Sequence, residues 1–138
     1  AMMIVDVDHF KRINDQFGHE TGDQALMETV RRLRESLRSE DLVGRLGGEE
    51  FVAVLPNTDA ASALAAAERV RVAFADTPMR FENESVTVTI SAGVALLAPG
   101  DQQFSHLLRR ADRAMYAAKN AGRNQVMLDG GSPMEAGA

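Results

Sequence analysis

The sequence predicts an α/β protein in which a central, mostly antiparallel sheet is flanked by helices. Short apolar segments with the composition of strands recur along the chain, and longer segments between them have the periodicity of amphipathic helices. Two adjacent glycines between apolar segments add a predicted hairpin, which favours antiparallel pairing. With 138 residues, of which 45% are hydrophobic and 25% charged, the chain has the size and composition of one soluble domain.

The first third of the chain predicts one strand followed by two helices. Residues 2–7 form an apolar strand, and residues 9–17 form a short helix that ends at Gly18. A long helix follows from about residue 23 to residue 39, because apolar side chains recur there at steps of three and four residues. The recurring positions are Leu26, Val30, Leu33 and Leu37.

The middle of the chain predicts the hairpin and a third helix. The hairpin runs from Leu42 to Leu55 and turns at Gly47-Gly48, because glycine readily adopts the positive φ of a tight turn. Residues 59–75 then form a helix with one apolar face. Its inward positions are Leu64, Ala67, Val70 and Phe74.

The last part of the chain predicts two strands, a helix and a final strand. The two strands are residues 79–81 and 86–93, and the small residues that end the second one allow another element to pack closely. Residues 104–120 form the last long helix, and residues 126–128 form a final strand. The chain has neither an internal repeat nor a second core, so we expect one domain over residues 1–128.

Composition excludes several classes of partner. The net charge of −5 provides no basic surplus, which argues against nucleic acid or an anionic membrane as a partner. The absence of cysteine excludes disulfides and fits a cytoplasmic setting, and no apolar run is long enough to span a bilayer. We expect Ala1 to be a cloning remnant of a domain cut from a larger protein, whose own membrane anchoring stays open. Residues 129–138 are expected to form a disordered tail.

Candidate metal-binding side chains occur at the hairpin and at the end of the first strand. Glu49 and Glu50 follow the two glycines, and Asp6 and Asp8 point to the same side because strand side chains alternate. Each pair alone is typical of a solvated turn or a helix cap. Together they would supply the hard oxygen ligands of a site that binds Mg²⁺ and phosphate.

Four further polar residues have two interpretations each. Lys119 and Arg123, four residues apart at the end of the last helix, either complement the helix C-terminus or clamp phosphate oxygens. Asn14 and Asp23 either cap helix ends or recognise guanine, because a carboxylate accepts hydrogen bonds from guanine N1–H and the exocyclic amine. Periodicity does not distinguish between these interpretations.

Four motifs, in this order, resemble the GGDEF domain of bacterial diguanylate cyclases. They are the run from Asp6 to Asp15, the residues Phe17-Gly18-His19 with Gly22-Asp23, the run Arg45-Leu46-Gly47-Gly48-Glu49-Glu50-Phe51, and Ser91-Ala92-Gly93 with the run from Ala111 to Asn124. The resemblance extends over residues 2–128 with compatible spacing. The chain is therefore identified as a member of this family with Gly-Gly-Glu-Glu-Phe as its signature.

The resemblance implies a fold, a reaction and several partners. The implied fold is the palm-like fold of nucleotidyl cyclases. The implied reaction condenses two GTP molecules into cyclic di-GMP (c-di-GMP) and releases two pyrophosphates, with one GTP presented by each subunit of a homodimer. It also implies Mg²⁺ or Mn²⁺ as cofactor, and an upstream sensory domain in the parent protein.

The resemblance also assigns catalytic and metal-binding roles. Asp6, the Val7 carbonyl and Glu49 are the expected metal ligands, and Glu49 is the expected base for the attacking 3′-hydroxyl. Glu50 has a less defined role at the metal or the ribose. Arg45 is expected to neutralise charge near the reacting phosphate.

Substrate-binding roles follow in the same way. The implied contacts are Asn14 and Asp23 for guanine, the backbone N–H groups of Phe10 and Lys11 for phosphate, and Lys119 and Arg123 for the terminal phosphates. Asp8 is expected to be structural rather than a metal ligand.

Arg38 and Asp41 match the Arg-x-x-Asp pattern of the family's product-inhibition site, just before the hairpin. As a bare pattern it is also typical of an exposed helix end, and its placement is what favours an inhibitory site for c-di-GMP. Arg69 on the next helix is a candidate additional contact. Two features depart from the family: its usual N-terminal segment is absent here, and Leu46 replaces an aromatic residue before the glycines.

Three functions compete at this point. The first is an active diguanylate cyclase domain, which the intact acidic positions favour. The second is a catalytically silent module that binds GTP or c-di-GMP and signals by protein contact. The third is a relative that makes another cyclic dinucleotide, against which Asp23 argues because it is matched to guanine.

Overall fold

A computed structural model describes residues 1–130 of the chain. In chain order, the elements are β1 (Met2–Val7), α1 (Phe10–Phe17), α2 (His19–Ser36), β2 (Leu42–Gly47), β3 (Glu50–Val54), α3 (Ala60–Asp76), β4 (Met79–Phe81), β5 (Glu84–Val86), β6 (Ile90–Ala95), α4 (Phe104–Asn120) and β7 (Gln125–Leu128). Apart from its first two residues, the tail expected to be disordered lies outside the described residues. No helix within this range is both long and apolar enough to cross a membrane.

Five strands form the central sheet in the order β2-β3-β1-β6-β7. Neighbouring strands are antiparallel except β6 and β7, which are parallel. Strands β4 and β5 form a separate two-stranded hairpin. The predicted α/β class, with a central and mostly antiparallel sheet flanked by helices, is confirmed.

Alternation along β1 sends its side chains into two different cores. Met3 and Val5 join the large core that the sheet forms with α2 and α3. Met2 and Ile4 join a smaller core beneath α4. Asp6 continues the series of Met2 and Ile4, so its carboxylate lies on the face of the sheet that α4 covers.

The second helix starts earlier than the sequence predicts. It begins at His19 rather than near residue 23, and it ends at Ser36 rather than residue 39. Gly18 ends α1 at φ 94°, donates its N–H to the Asn14 carbonyl at 2.9 Å, and leads directly into α2. The prediction was wrong because apolar spacing marks the buried face of a helix and carries no information on a polar first turn.

The single strand predicted over residues 86–93 is also wrong. Strand β5 ends at Val86 and pairs with β4, whereas β6 begins at Ile90 and pairs with β1. Both segments have strand composition, so the sequence does not show that the chain changes sheets between them. The predicted hairpin, the third and fourth helices and the final strand are confirmed, except that the hairpin turns at Gly48 and Glu49 rather than at Gly47-Gly48.

Helix α4 lies directly on β6 at Gly93. A Cβ atom at this position would lie 2.2 Å from the Ala111 carbonyl oxygen and 2.2 Å from the Met115 nitrogen. The close approach predicted for the small residues at 91–93 is therefore confirmed. This contact sets the distance of α4 from the sheet, and with it the position of Lys119 near the end of the helix.

Replacing Gly93 with Ala should lower the free energy of unfolding by at least about 3 kcal/mol, because backbone atoms of α4 cannot rotate away from the added methyl group. Urea denaturation measures this loss. Gly100→Ala is the matched control, since a Cβ there meets no atom within 4 Å. It should change the stability by less than about 0.5 kcal/mol. Equal stability of the two variants would contradict the described packing of α4 on β6.

Candidate active site

The hairpin between β2 and β3 holds its acidic turn at one end of the sheet. The turn residues are Gly48 and Glu49, and Gly48 adopts the left-handed conformation at φ 49°, which glycine tolerates best. The Arg45 guanidinium donates from Nε and Nη2 to the Gly48 carbonyl at 2.9 and 2.6 Å. The Val7 N–H donates to the Glu49 carbonyl at 3.2 Å. These bonds fix the turn against the end of β1.

Asp6 is a buried carboxylate at the end of β1. Its Oδ2 atom lies 3.0 Å from Lys119 Nζ, while its Oδ1 atom is buried without a hydrogen-bond partner. Burial raises the pKa of Asp6 above its ordinary value; Lys119 lowers it in part, and Glu49 and Asp8 raise it further. A second cation beside Oδ1 would therefore stabilise the ionised carboxylate.

Glu50 lies opposite Asp6 in the β1–β3 register, on the same face of the sheet. Burial raises the pKa of Glu50, and the charges of Asp112 on α4 and of Asp6 raise it further. The structure thus concentrates negative charge between the end of the sheet and α4. Such a concentration favours bound cations.

A cavity of about 350 Å³ opens beside these acids. Seven of the predicted site residues line it: Asp6, Val7, Phe10, Lys11, Glu49, Lys119 and Arg123. No side chain caps the N-terminus of α1, whose first residues form one wall of the cavity. Cationic side chains, free helical N–H groups and carboxylates thus meet in one space, which suits a polyphosphate bound together with a metal ion.

The metal donors in this cavity are few. Among residues 1–130, no group of three or more His, Cys, Asp or Glu side chains is placed to hold a metal ion by itself. The predicted metal ligands, namely the carboxylates of Asp6 and Glu49 and the backbone at Val7, all line the cavity, as do the side chains of His9 and Asp15. Mg²⁺ commonly binds through one or two carboxylates and completes its shell with water and substrate phosphate. The unpaired Oδ1 of Asp6 fits such an ion.

Asn14 and Asp23, the predicted guanine-binding pair, lie where α1 packs on α2 and do not line this cavity. A Cβ atom at Gly22 would lie 1.8 Å from Asn14 Oδ1, so the Asn14 amide occupies the space above Gly22. Gly22 directly precedes Asp23, which is exposed. The structure therefore places the Asn14 amide against the turn of α2 that carries Asp23.

The two predicted cations at the end of α4 have different environments. Lys119 lies in the last turn of the helix and pairs with Asp6, a long-range contact that periodicity did not reveal. Arg123 is not on the helix, which ends at Asn120; it lies in the following turn at φ 65°. The turn nevertheless brings Arg123 to the cavity that Lys119 also lines.

A second cavity, of about 310 Å³, contains the predicted inhibitory residues. Arg38 Nη2 donates to Asp41 Oδ1 at 3.0 Å, to the Pro56 carbonyl at 3.0 Å and to Thr58 Oγ1 at 2.8 Å. Arg38, Asp41 and Arg69 all line this cavity. The suggested third residue, Arg69, is therefore close to the Arg-x-x-Asp pair.

Sequence reasoning missed several residues at the first cavity. His9, Arg12 and Asp15 also line it, and all three belong to the run from Asp6 to Asp15 that carries the first motif. Asp112 was missed as the charge that acts most strongly on Glu50. Its placement depends on how α4 lies over the sheet, and no local pattern indicates that.

Comparisons with known proteins agree with the motifs. A family model described as "Diguanylate cyclase, GGDEF domain" matches residues 1–125. Diguanylate cyclase DgcP of Pseudomonas aeruginosa is 42% identical over 125 residues, which cover 91% of this chain and 18% of that protein. The chain spans only 18% and 35% of the length of the first two curated relatives that it matches.

Two solved structures have the same fold. The active GGEEF domain of a diguanylate cyclase from Vibrio cholerae has a TM-score of 0.86 and 39% identity, and the match covers 95% of this chain and 83% of that one. The GGDEF domain of DgcB from Caulobacter crescentus, in complex with c-di-GMP, has a TM-score of 0.87 and 33% identity, with coverage of 93% and 76%. The predicted palm-like fold is confirmed by these matches.

Replacing Lys119 with Met should leave the buried Asp6 carboxylate without its counter-charge. Without divalent cations, we expect the free energy of unfolding at neutral pH to fall by about 1–3 kcal/mol, which urea denaturation measures. A carboxyl group with a raised folded-state pKa loses stability as the pH rises from its unfolded pKa through its folded pKa. Removal of Lys119 enlarges this pH-dependent loss of stability. The difference in the free energy of unfolding between the variant and the wild type should therefore shrink as the pH is lowered.

Two further variants test the assignment of this loss to Asp6. Lys11→Met removes a cation at the same cavity and should have little effect on stability, because no ion pair of Lys11 is present in the described part of the chain. Adding Asp6→Asn to Lys119→Met should restore most of the lost stability, since the buried charge is then gone. A loss that is independent of pH would contradict the Asp6–Lys119 ion pair.

Proposed function

This chain belongs to the GGDEF family of diguanylate cyclase domains, and from that premise we propose that it condenses two GTP molecules into c-di-GMP and releases two pyrophosphates. The observation that carries the proposal is the cavity in which Asp6, Glu49, Lys119 and Arg123 meet the N-terminus of α1. Phosphoryl transfer depends mainly on positioning and on charge neutralisation, and this set of groups supplies both.

The phosphates of GTP would lie along the cationic wall of the cavity. The backbone N–H groups of Phe10 and Lys11 would bind phosphate oxygens at the uncapped start of α1. Lys119 and Arg123, which line the same cavity, would contact the terminal phosphates. Lys119 already forms an ion pair with Asp6, so its ammonium group is held beside the acids rather than in open solvent.

The acidic residues of the cavity would hold the metal ion and accept the proton of the attacking hydroxyl. Asp6, the Val7 carbonyl and Glu49 would hold Mg²⁺ or Mn²⁺, which when bound acidifies the attacking 3′-hydroxyl and stabilises the charge of the leaving pyrophosphate. Glu49 would accept the proton of that hydroxyl, because it is only half-buried at the turn and lines the cavity. Glu50, half-buried beside Asp6, would keep the local field negative.

Arg45 would act at the hairpin in one of two positions. In the structure its guanidinium is bonded to the Gly48 carbonyl and stabilises the turn that carries Glu49. The side chain is exposed, so it would also reach the phosphate of a second nucleotide that approaches the hairpin. Either position neutralises charge near the reacting groups.

Guanine would be bound at the junction of α1 and α2. The Asn14 amide offers a donor and an acceptor, and the Asp23 carboxylate accepts from guanine N1–H and the exocyclic amine. Gly22 supports this arrangement because any side chain there would displace the Asn14 amide. Adenine lacks the N1–H donor, so this pair would disfavour ATP.

Turnover would require a homodimer. The cavity described here presents one nucleotide, while c-di-GMP contains two phosphodiester bonds made from two GTP molecules. Two copies with their hairpins facing each other would bring each 3′-hydroxyl to the other α-phosphate. In the parent protein an upstream sensory domain would control how the two copies meet.

Product inhibition would act at the second cavity. Arg38 and Arg69 line it with the buried carboxylate of Asp41, which matches the guanine and phosphate groups of c-di-GMP. Arg38 is held by several acceptors and is therefore preorganised for a planar ligand.

The turnover test uses the chain fused to a constitutively dimeric coiled coil. With Mg²⁺ and GTP, this dimer should form c-di-GMP, detected by chromatography and mass spectrometry, and ATP should give no cyclic product. Glu49→Ala should lower the rate by about 100-fold or more, because the base is removed. The matched control is Glu84→Ala, an exposed acid in the separate β4–β5 hairpin. It should keep the wild-type rate.

Each other outcome of this experiment has a defined meaning. GTP binding without any product, unchanged by Glu49→Ala, would favour the catalytically silent signalling module. A cyclic product from ATP at a similar rate would overturn the guanine assignment of Asn14 and Asp23.

Arg38→Ala should weaken c-di-GMP binding by about tenfold or more, because it removes charge-assisted hydrogen bonds. Isothermal titration calorimetry measures this affinity. Arg31→Ala is the matched control, since Arg31 is also exposed and its ion pairs stay within α2. It should leave the affinity unchanged. Unchanged affinity in Arg38→Ala would remove the inhibitory site from the proposal.

A further inference from the structure

The turn after α4 contains three successive residues in left-handed backbone conformations. The φ angles are 122° at Gly122, 65° at Arg123 and 47° at Asn124. Glycine adopts such angles readily, but Arg does so only where its surroundings hold it. We refer to residues 122–124 as the clamp turn, because it carries Arg123 to the candidate nucleotide cavity.

Asp8 holds the far end of the clamp turn. Its Oδ2 atom accepts a hydrogen bond from the Asn124 backbone N–H at 3.0 Å, across a separation of 116 residues in sequence. The same carboxylate accepts from Thr89 Oγ1 at 2.8 Å and from Ser91 Oγ at 2.7 Å. Asp8 is buried, so these three donors fix its carboxylate in one position.

Arg71 holds the clamp turn from another side. Its Nη1 atom donates to Asn124 Oδ1 at 3.1 Å, and its guanidinium is paired with Glu68 on the same helix. Asn124 is therefore contacted through its backbone by Asp8, which follows β1, and through its side chain by Arg71 on α3. These contacts explain why non-glycine residues keep left-handed angles here.

We propose that Asp8, supported by Arg71, is a positioning residue for nucleotide binding: it holds the clamp turn so that Arg123 faces the terminal phosphates of GTP beside Lys119. The inference rests on the proposed function, since it assigns the polyphosphate to this cavity. Asp8 acts through Asn124 and touches neither the nucleotide nor the metal.

The geometry separates this role from metal binding. Asp6 has a buried oxygen without a partner, whereas both oxygens of Asp8 already accept hydrogen bonds from protein donors. A carboxylate that binds a metal needs its negative charge. A carboxylate that only positions the clamp turn needs oxygen atoms that accept hydrogen bonds from it. Asparagine keeps an acceptor for the Asn124 N–H, and its amide can donate to Ser91, whose hydroxyl rotates to accept. Asp8→Asn should therefore preserve the role, and Asp8→Ala should remove it.

The test compares affinities for GTP and GMP in the full chain, by competition against a fluorescent GTP analogue. GMP lacks the terminal phosphates, so it does not report on the clamp turn. Asp8→Ala should bind GTP about tenfold more weakly than wild type and bind GMP equally well. Asp8→Asn should bind GTP like wild type. Arg71→Met should show a smaller loss that is also confined to GTP.

Another aspartate whose side chain is largely covered provides the matched control. Asp101 accepts the Ala98 N–H at 2.7 Å and pairs with Arg110, away from both cavities. Asp101→Ala should lower the midpoint of thermal unfolding without changing either affinity. This control separates a general loss of stability from the loss of GTP affinity that is expected for Asp8→Ala.

Four outcomes would overturn the inference. Equal losses for GTP and GMP in Asp8→Ala would show a general role in the fold, and Asp8→Asn behaving like Asp8→Ala would show that the charge is what matters. If Asp8→Ala does not fold, Arg71→Met is decisive: a ratio of GTP affinity to GMP affinity equal to that of the wild type would overturn the inference. A wild-type chain that binds GMP as tightly as GTP would overturn the proposed function together with it, whereas the first three outcomes leave the proposed function intact.

Discussion

The end of β1 buries the Asp6 carboxylate beneath α4, and the rest of the candidate site depends on how that charge is neutralised. A buried carboxylate is stable only with a cation or hydrogen-bond donors nearby. Lys119 supplies one cation, and the unpaired Oδ1 leaves room for another. The close contact of α4 with Gly93 brings Lys119 within reach. Packing of the middle of α4 on one glycine thus supports an electrostatic site one turn further along that helix.

Two aspartates two residues apart on the chain have different environments. Asp6 retains an unpaired oxygen and has a raised pKa, because Lys119 only partly offsets the effect of burial. Asp8 is saturated by protein donors and joins the ends of β1 and β6 to the turn after α4. The helix α3 contributes to both cavities of the domain: Arg69 lines the second one, while Arg71 contacts the turn at the first.

Much of the fold followed from local patterns, and the errors have physical causes. Local sequence patterns predicted the helices α3 and α4, the hairpin and the first strand, because the residues within each element carry the pattern. The early start of α2 was missed because its first turn is polar, and Gly18 permits a sharp change of direction without any intervening loop. The division of residues 86–93 between two sheets was missed because strand composition is the same whichever sheet the strand joins.

By itself, the sequence determined the family, the fold class and the identity of most candidate site residues, because the motifs fix residue types at fixed spacings. Only the tertiary structure decided which of them share a cavity. It brought Asp6 to Lys119, placed Asn14 over Gly22, and moved Arg123 off the helix into a left-handed turn. These relations join residues far apart in sequence or depend on backbone angles, and neither is expressed in local periodicity. The types of the candidate site residues were therefore predictable from the sequence, whereas their arrangement depended on how α4 packs on the sheet.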